Sequence, residues 1–282
     1  MYTIKYKKIL NPTVTMMKIE APYIAKKAKA GQFVILRVNE QGERVPMTIA
    51  EADVQTGTIT IIFQVVGATT KLLNQLEVGD KLQDFVGPLG KASEIEGLKK
   101  VAVVGGGVGC AIAYPTAKAL FDQGTIVHSI IGFRNKDLVI LEDEFRNVSH
   151  EMFMRTDDGS YGTKGLVTDQ LKELFDQGIR YDEIFVIGPL IMMKYVSLLT
   201  KQYNIKTTVS MNPIMIDGTG MCGGCRVTVG KEVKFACVDG PDFDGHMVDF
   251  DEAMRRNQMY QEFEHHKYEE TCNLLKGVKE NA

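Results

Sequence analysis

Lys100-Val-Ala-Val-Val-Gly-Gly-Gly-Val-Gly-Cys-Ala111 is the stretch that decides the fold. Its first half is an unbroken apolar run, short and rich in valine, which reads as a strand buried on both faces of a parallel sheet. Gly105, Gly106, Gly107, Val108 and Gly109 then make a turn, and residues 111–123 follow as a helix that closes at Gly124. Such a turn lets a phosphate approach the helix N-terminus, where backbone N–H groups and the helix dipole favour negative charge. The fingerprint G-x-G-x-x-G is incomplete, because Cys110 stands at its last glycine. The unit is therefore expected to bind a dinucleotide through a variant of that fold.

Working outward, strands are expected at residues 125–131 and 181–187, the second ending at Gly188-Pro189, with a helix over 190–202. This alternation predicts a doubly wound parallel sheet across residues 98–210. An acidic ribose ligand is expected about 20 residues beyond the glycine turn. The chain instead runs His128-Ser-Ile-Ile-Gly-Phe-Arg134-Asn-Lys136, so Arg134 is the candidate for the ribose or a phosphate. A solvent-exposed basic loop is the plainer alternative. Thr156-Asp157-Asp158-Gly-Ser-Tyr-Gly162 is a second polar loop after a strand, and read alone it is an ordinary turn.

Residues 1–97 carry short β-rich runs at 2–7, 13–19, 32–38 and 57–66, separated by polar and glycine turns, as in a small β-barrel. Residues 211–250 are glycine-rich and hold Asp217-Gly-Thr-Gly-Met-Cys222-Gly-Gly-Cys225, with Cys237 further on. Read as ligands these are D-x4-C-x2-C-x11-C, the spacing of a plant-type [2Fe–2S] site with a carboxylate in first position. The interleaved glycines permit the tight turns that bring N–H groups onto sulfides. Zinc is the alternative occupant, although zinc ribbons use two C-x-x-C knuckles and only one is present. Asp239 is the alternative fourth ligand, with Asp217 merely forming a turn. Residues 251–282 form a polar tail in which Met254, Met259 and Phe263 suggest helix. It is too polar for a core element and reads either as solvated or as docking a partner.

Composition narrows the classes. The 282 residues are 44% hydrophobic and 24% charged, with a net charge of −3, so no general attraction to nucleic acid or to an anionic membrane is implied. No apolar run of membrane-spanning length occurs, and the N-terminus lacks an apolar signal region. A cytoplasmic protein with reduced thiols is expected. Cys110 reads as a small packed hydrophobe and Cys272 as a tail thiol. No Ser-His-Asp set, H-E-x-x-H or P-loop lysine is present. The five histidines read as structural or surface groups.

The order of these parts resembles the ferredoxin–NADP reductase superfamily, in which a barrel holds FAD and an α/β domain brings the nicotinamide to it. On that resemblance the flavin strand is Arg44-Val45-Pro46-Met47-Thr48, with Val45 standing where the superfamily has arginine and Thr48 keeping a hydroxyl for the flavin edge. Val66, Thr69 and Thr70 resemble the loop and helix start that cradle the FAD pyrophosphate, Gln64 and Val65 just before them are further cofactor-binding candidates, and Asp157 and Asp158 resemble a loop facing the nicotinamide nucleotide. Over nearly its whole length the chain is similar to the iron–sulfur flavoprotein subunits that accompany dihydroorotate dehydrogenase. Within them it is nearer to the group of small subunits of NADH-dependent reduced ferredoxin:NADP+ oxidoreductase, also described as sulfide dehydrogenase small subunits. Asp217 in place of cysteine, and the run Ser210-Met-Asn-Pro-Ile-Met-Ile-Asp217, favour that group.

The resemblance implies FAD, a [2Fe–2S] cluster and NAD(H), a larger iron–sulfur flavoprotein partner, and a role in electron bifurcation linked to ferredoxin and NADP(H). A nicotinamide gives two electrons as hydride and a cluster takes one, so flavin belongs between them. The competing expectations are the electron-transfer subunit of dihydroorotate dehydrogenase and a non-catalytic module that binds zinc and nucleotide.

Overall fold

The computed structural model describes residues 2–280. Strands β1 (Tyr2–Asn11) and β2 (Val14–Glu20) are followed by helix α1 (Pro22–Ala25), β3 (Phe33–Arg37), β4 (Val45–Thr48), β5 (Glu51–Asp53) and β6 (Thr58–Gln64). Helix α2 (Ala68–Gln75), β7 (Lys81–Leu82) and β8 (Asp84–Leu89) complete this part. One antiparallel sheet runs β5-β6-β2-β1-β7 and a second β4-β3-β8. Ile4, Met17 and Ile19 from the first sheet meet Val34, Leu36 and Phe85 from the second, with Leu73 of α2, in one buried core. The expected barrel is thus a barrel-like pair of sheets rather than one closed ladder. The reason lies in the edge strands: Pro46 in β4 and Pro88 in β8 have no N–H to extend a ladder, and proline is confined to edges for that reason.

The next region alternates as its apolar runs predict. It comprises β9 (Lys100–Gly106), α3 (Gly109–Asp122), β10 (Ile126–Phe133), α4 (Glu142–Asn147), β11 (Glu151–Thr156) and β12 (Thr163–Lys164). Then come α5 (Val167–Asp176), β13 (Glu183–Ile187), α6 (Leu190–Gln202) and β14 (Lys206–Ser210). These strands are parallel, in the order β12-β11-β10-β9-β13-β14. Cys110, Ala113, Ala117 and Leu120 of α3 cover one face with Phe145 of α4. Leu171, Leu174 and Phe175 of α5 cover the other with Met193 and Val196 of α6. The winding reverses between β9 and β13, the point where open α/β sheets bind ligands.

The last segment is tied to both parts. It contains the hairpin β15 (Arg226–Val229) and β16 (Glu232–Phe235), then β17 (Asp242–Asp244), α7 (Phe250–Asn257) and α8 (Gln261–Glu280). β17 adds antiparallel to β14, pairing Val209 with Phe243 and Ser210 with Asp242. On the other side, Lys91 N donates to Gly240 O at 2.7 Å. Gly218 approaches Leu89 and Ile35 so closely that a Cβ there would lie 2.7 Å from Leu89 Cδ1. Met211, Met215, Cys225, Val227, Ala236 and Cys237 consequently share one core with Phe33 and Ile35 of β3.

Candidate cofactor cleft and thiol site

A cleft of about 1410 Å³ opens between the barrel-like sheets and the C-terminal ends of β9 and β13. A single drug-sized ligand fills roughly 300–1,000 Å³, so the space suits more than one such molecule. From the barrel side Pro46, Met47 and Thr48 of β4 line it, with Gln64, Val66 and Thr70 beside them. From the α/β side come Gly106, Gly107, Val108 and Gly109, with Arg134, Asp157, Gly188 and Pro189.

The glycine turn is shaped by close approach. A Cβ on Gly109 would lie 2.6 Å from Gly188 Cα and 2.7 Å from Ile187 O, so only glycine lets α3 start against the β13 turn. This is also why α3 begins at Gly109, two residues before the expected start. Gly107 has φ +56 with open space around it, and its N–H donates to Gly132 O at 2.8 Å. At the barrel end, Thr70 Oγ1 accepts from Val66 N at 3.1 Å and Gly67 N at 3.0 Å, which fixes the chain entering α2. The first N–H groups of α2 and α3 are the unsatisfied donors of a helix start, and both starts border the cleft.

Six of the residues expected at the cofactors lie outside the cleft lining. Arg44 turns to Asp84, with Nη2 3.8 Å from the carboxylate. Val45 and Val65 pack on the barrel core. Thr69 Oγ1 donates to Glu43 at 3.0 Å. Gly105 is buried against Cys110, whose thiol burial pushes upward. Asp158 accepts from Ser160 N at 2.9 Å and Ser160 Oγ at 2.6 Å, and these bonds hold its carboxyl below the usual range.

Other lining residues were not expected. Ile191, Tyr195 and Leu198 of α6 face the cleft although each is about half exposed. Their i, i+4, i+7 spacing sits opposite the core face of Met193 and Val196, so α6 is apolar on two sides. That double stripe is the signal by which they could have been found. Leu166, Asp169 and Lys172 line the cleft from the start of α5, and Ser210, Met211, Asn212 and Met215 from the strand end leading to the cysteine loop.

The structure brings Cys225 and Cys237 together, Sγ to Sγ at 3.2 Å, each about 1% exposed. Burial, and then the neighbouring Cys225, push the Cys237 thiol up to about 12. Cys222 lies exposed on the same loop. Asp217 accepts from Thr219 N and Cys222 N, both at 2.8 Å, and these bonds hold its carboxyl below the usual carboxylate range. Asp239 likewise accepts from Phe235 N at 2.8 Å. Among the described residues no three His, Cys, Asp or Glu side chains converge as a closed metal site. The donor chemistry nevertheless suits a thiophilic group: two apposed buried thiols and a third thiol share a loop turned by Gly218, Gly220 and Gly223 at positive φ.

Comparison with known proteins follows the same outline. Residues 212–249 match the model of the iron–sulfur cluster binding domain of dihydroorotate dehydrogenase B. A dihydroorotate dehydrogenase B (NAD+) electron transfer subunit homolog of Thermotoga maritima is 47% identical, over 89% of this chain and 88% of that one. The dihydroorotate dehydrogenase B (NAD+) electron transfer subunit of Fusobacterium nucleatum is 34% identical, over 80% and 88%. A chain from the structure of the NADH-dependent reduced ferredoxin-NADP oxidoreductase, solved for insight into flavin-based electron bifurcation, is 44% identical. It superposes with a TM-score of 0.90 over 96% of this chain and 97% of that one.

Proposed function

The chain belongs to the family of dihydroorotate dehydrogenase B electron-transfer subunits and their homologues, and from that premise we propose that it holds FAD, a [2Fe–2S] cluster and NAD(H). It is the NAD(H)-side arm of an electron-bifurcating NADH-dependent ferredoxin:NADP+ oxidoreductase. The observation that supports this reading is the whole-chain likeness to the chain of the ferredoxin-NADP oxidoreductase, 44% identical with a TM-score of 0.90 over 96% of this chain and 97% of that one.

In this reading residues 1–97 hold the flavin, 98–210 the nicotinamide nucleotide and 211–250 the cluster, with 251–282 as a helical tail. The free N–H groups at the start of α2 take the flavin phosphates, and Thr48 and Gln64 face the ring edge. The start of α3, residues 106–109, takes the phosphates of NAD(H), while Arg134 and Asp157 meet its adenosine end. The turn Gly188-Pro189 carries no bulky side chain, so the nicotinamide can lie close to the flavin. Cys222, Cys225 and Cys237, with Asp217, hold the cluster, and the core that buries Cys225 and Cys237 reaches Phe33 at the cleft wall. When bound, FAD exchanges hydride with nicotinamide and single electrons with the cluster. The partner is a larger iron–sulfur flavoprotein subunit through which ferredoxin and NADP(H) are reached, in the cytoplasm. Among the described residues no helix is long and apolar enough to cross a membrane.

The Thermotoga relative, described as a dihydroorotate dehydrogenase B subunit homolog, supports a second reading in which the partner is an orotate-forming subunit. Anaerobic affinity purification of the tagged chain from its own cells decides between them. A co-purifying large flavoprotein with further iron–sulfur clusters, active with NADP(H) and ferredoxin, is expected. A partner that oxidises dihydroorotate would overturn the proposal.

A further inference from the structure

The polar tail does more than meet solvent. Lys71 of α2 places Nζ 3.0 Å from Cys272 Sγ and 5.0 Å from the centroid of the Tyr268 ring, both on α8 and about two hundred positions along the chain. Thr271 between them is 6% exposed, whereas residues 261–267 of the same helix are exposed throughout. The described contact of α8 is therefore concentrated on one turn, and that turn sits on α2.

Helix α2 needs such support. It has eight residues, and among them only Thr69 and Leu73 are buried. A helix of two turns is not stable on its own, and its stability comes from tertiary packing. Leu73 ties its last turn to the barrel core, but among the described residues the first turn, where Thr70 borders the cleft, has no comparable apolar anchor. Lys71 lies next to that first turn. An ammonium over an aromatic face is attracted to it, and the thiol adds a polar contact, so α8 restrains α2 from the side away from the barrel core.

We infer that α8 is a strap that positions α2, and through it the flavin-phosphate end of the cleft, by way of Lys71, Tyr268, Thr271 and Cys272. The inference rests on the reading of that end as the flavin site. Tyr268 and Cys272 are positioning residues: they act on the cofactor only through α2.

The test measures the dissociation constant of FAD on the anaerobically purified full chain, from the rise in flavin fluorescence on release, with iron content measured in the same samples. Three changes are compared with wild type: a chain ending at Met259, the double variant Tyr268→Ala with Cys272→Ala, and Lys71→Met. Each is expected to raise the constant about tenfold, equivalent to about 1.4 kcal/mol. Lys71→Arg, which keeps a cation over the ring, stays near wild type, and iron content is unchanged in all. A general loss of fold would lower iron and flavin together and would overturn the strap. So would an unchanged FAD constant in the double variant. If wild-type protein fails to bind FAD while retaining its iron, the reading of the cleft falls, and the strap with it.

Discussion

Replacing Gly109 by alanine puts the account of the glycine turn to a quantitative test. The new Cβ would stand 2.6 Å from Gly188 Cα and 2.7 Å from Ile187 O, where ordinary contact begins at 3.4 Å. Both neighbours are backbone at the end of β13, so neither can rotate aside. The start of α3 or the 188–189 turn must move by the better part of an ångström. Overpacking of this kind costs about 1–3 kcal/mol. In a chain of this size that lowers Tm by roughly 2–4 °C per kcal/mol. The same shift displaces the helix start expected to hold the NAD(H) phosphates, and misplacement of about 1 Å can cost on the order of a hundredfold in rate. Stopped-flow reduction of the flavin by NADH, alongside thermal unfolding, is the assay. Two controls locate the effect. In Gly106→Ala the added atom meets first the flexible end of Met192, which can move, so the loss is smaller. In Gly124→Ala the site is open but φ is +89, so stability falls by about 1–2 kcal/mol while NADH reactivity holds. Wild-type Tm and wild-type NADH reactivity in Gly109→Ala would refute the reasoning.

Three further outcomes are expected. Asp217→Cys keeps a cluster and moves its midpoint potential, because a thiolate replaces a harder oxygen donor; a midpoint unchanged within error shows that Asp217 only caps its loop. Cys225→Ser removes one of the two apposed thiols and abolishes bound iron while FAD is retained; iron at wild-type content contradicts the ligand assignment. Burial, with Glu183 and Glu94 nearby, holds the Asp242 carboxyl above its ordinary range against the hydroxyls of Ser93 and Ser210. A carboxyl raised on folding stabilises at pH below its unfolded value of about 4, and that contribution is lost as pH climbs through the folded value. The denaturant midpoint of wild type should therefore fall relative to Asp242→Asn as pH rises from its unfolded value of about 4, and a constant gap would contradict this.

How far the sequence could be read depended on whether one physical demand dominated each segment. Val101–Val104 are buried on both faces, so the run was unmixed and its strand unmistakable. Helix α6 begins and ends where its pattern predicts, yet its outer stripe of Ile191, Tyr195 and Leu198 went unread, because one face of an amphipathic helix already explained the periodicity. Arg44 precedes the short β4 and is drawn to Asp84, which no local spacing signals. The cysteine spacing marked the loop, but the pairing of Cys225 with Cys237 depends on the hairpin between them, where Ala236 N donates to Cys225 O. Among the described residues the tail's contact with α2 uses a single turn of α8, too short to leave a period in the sequence.

The most direct measurement is a titration of the anaerobically purified full-length chain with NADH, followed by its visible spectrum. The account predicts a coloured, iron-bearing protein in which flavin and cluster absorbance bleach together as NADH is added. Colourless material without iron, or a spectrum that NADH leaves unchanged, would contradict it.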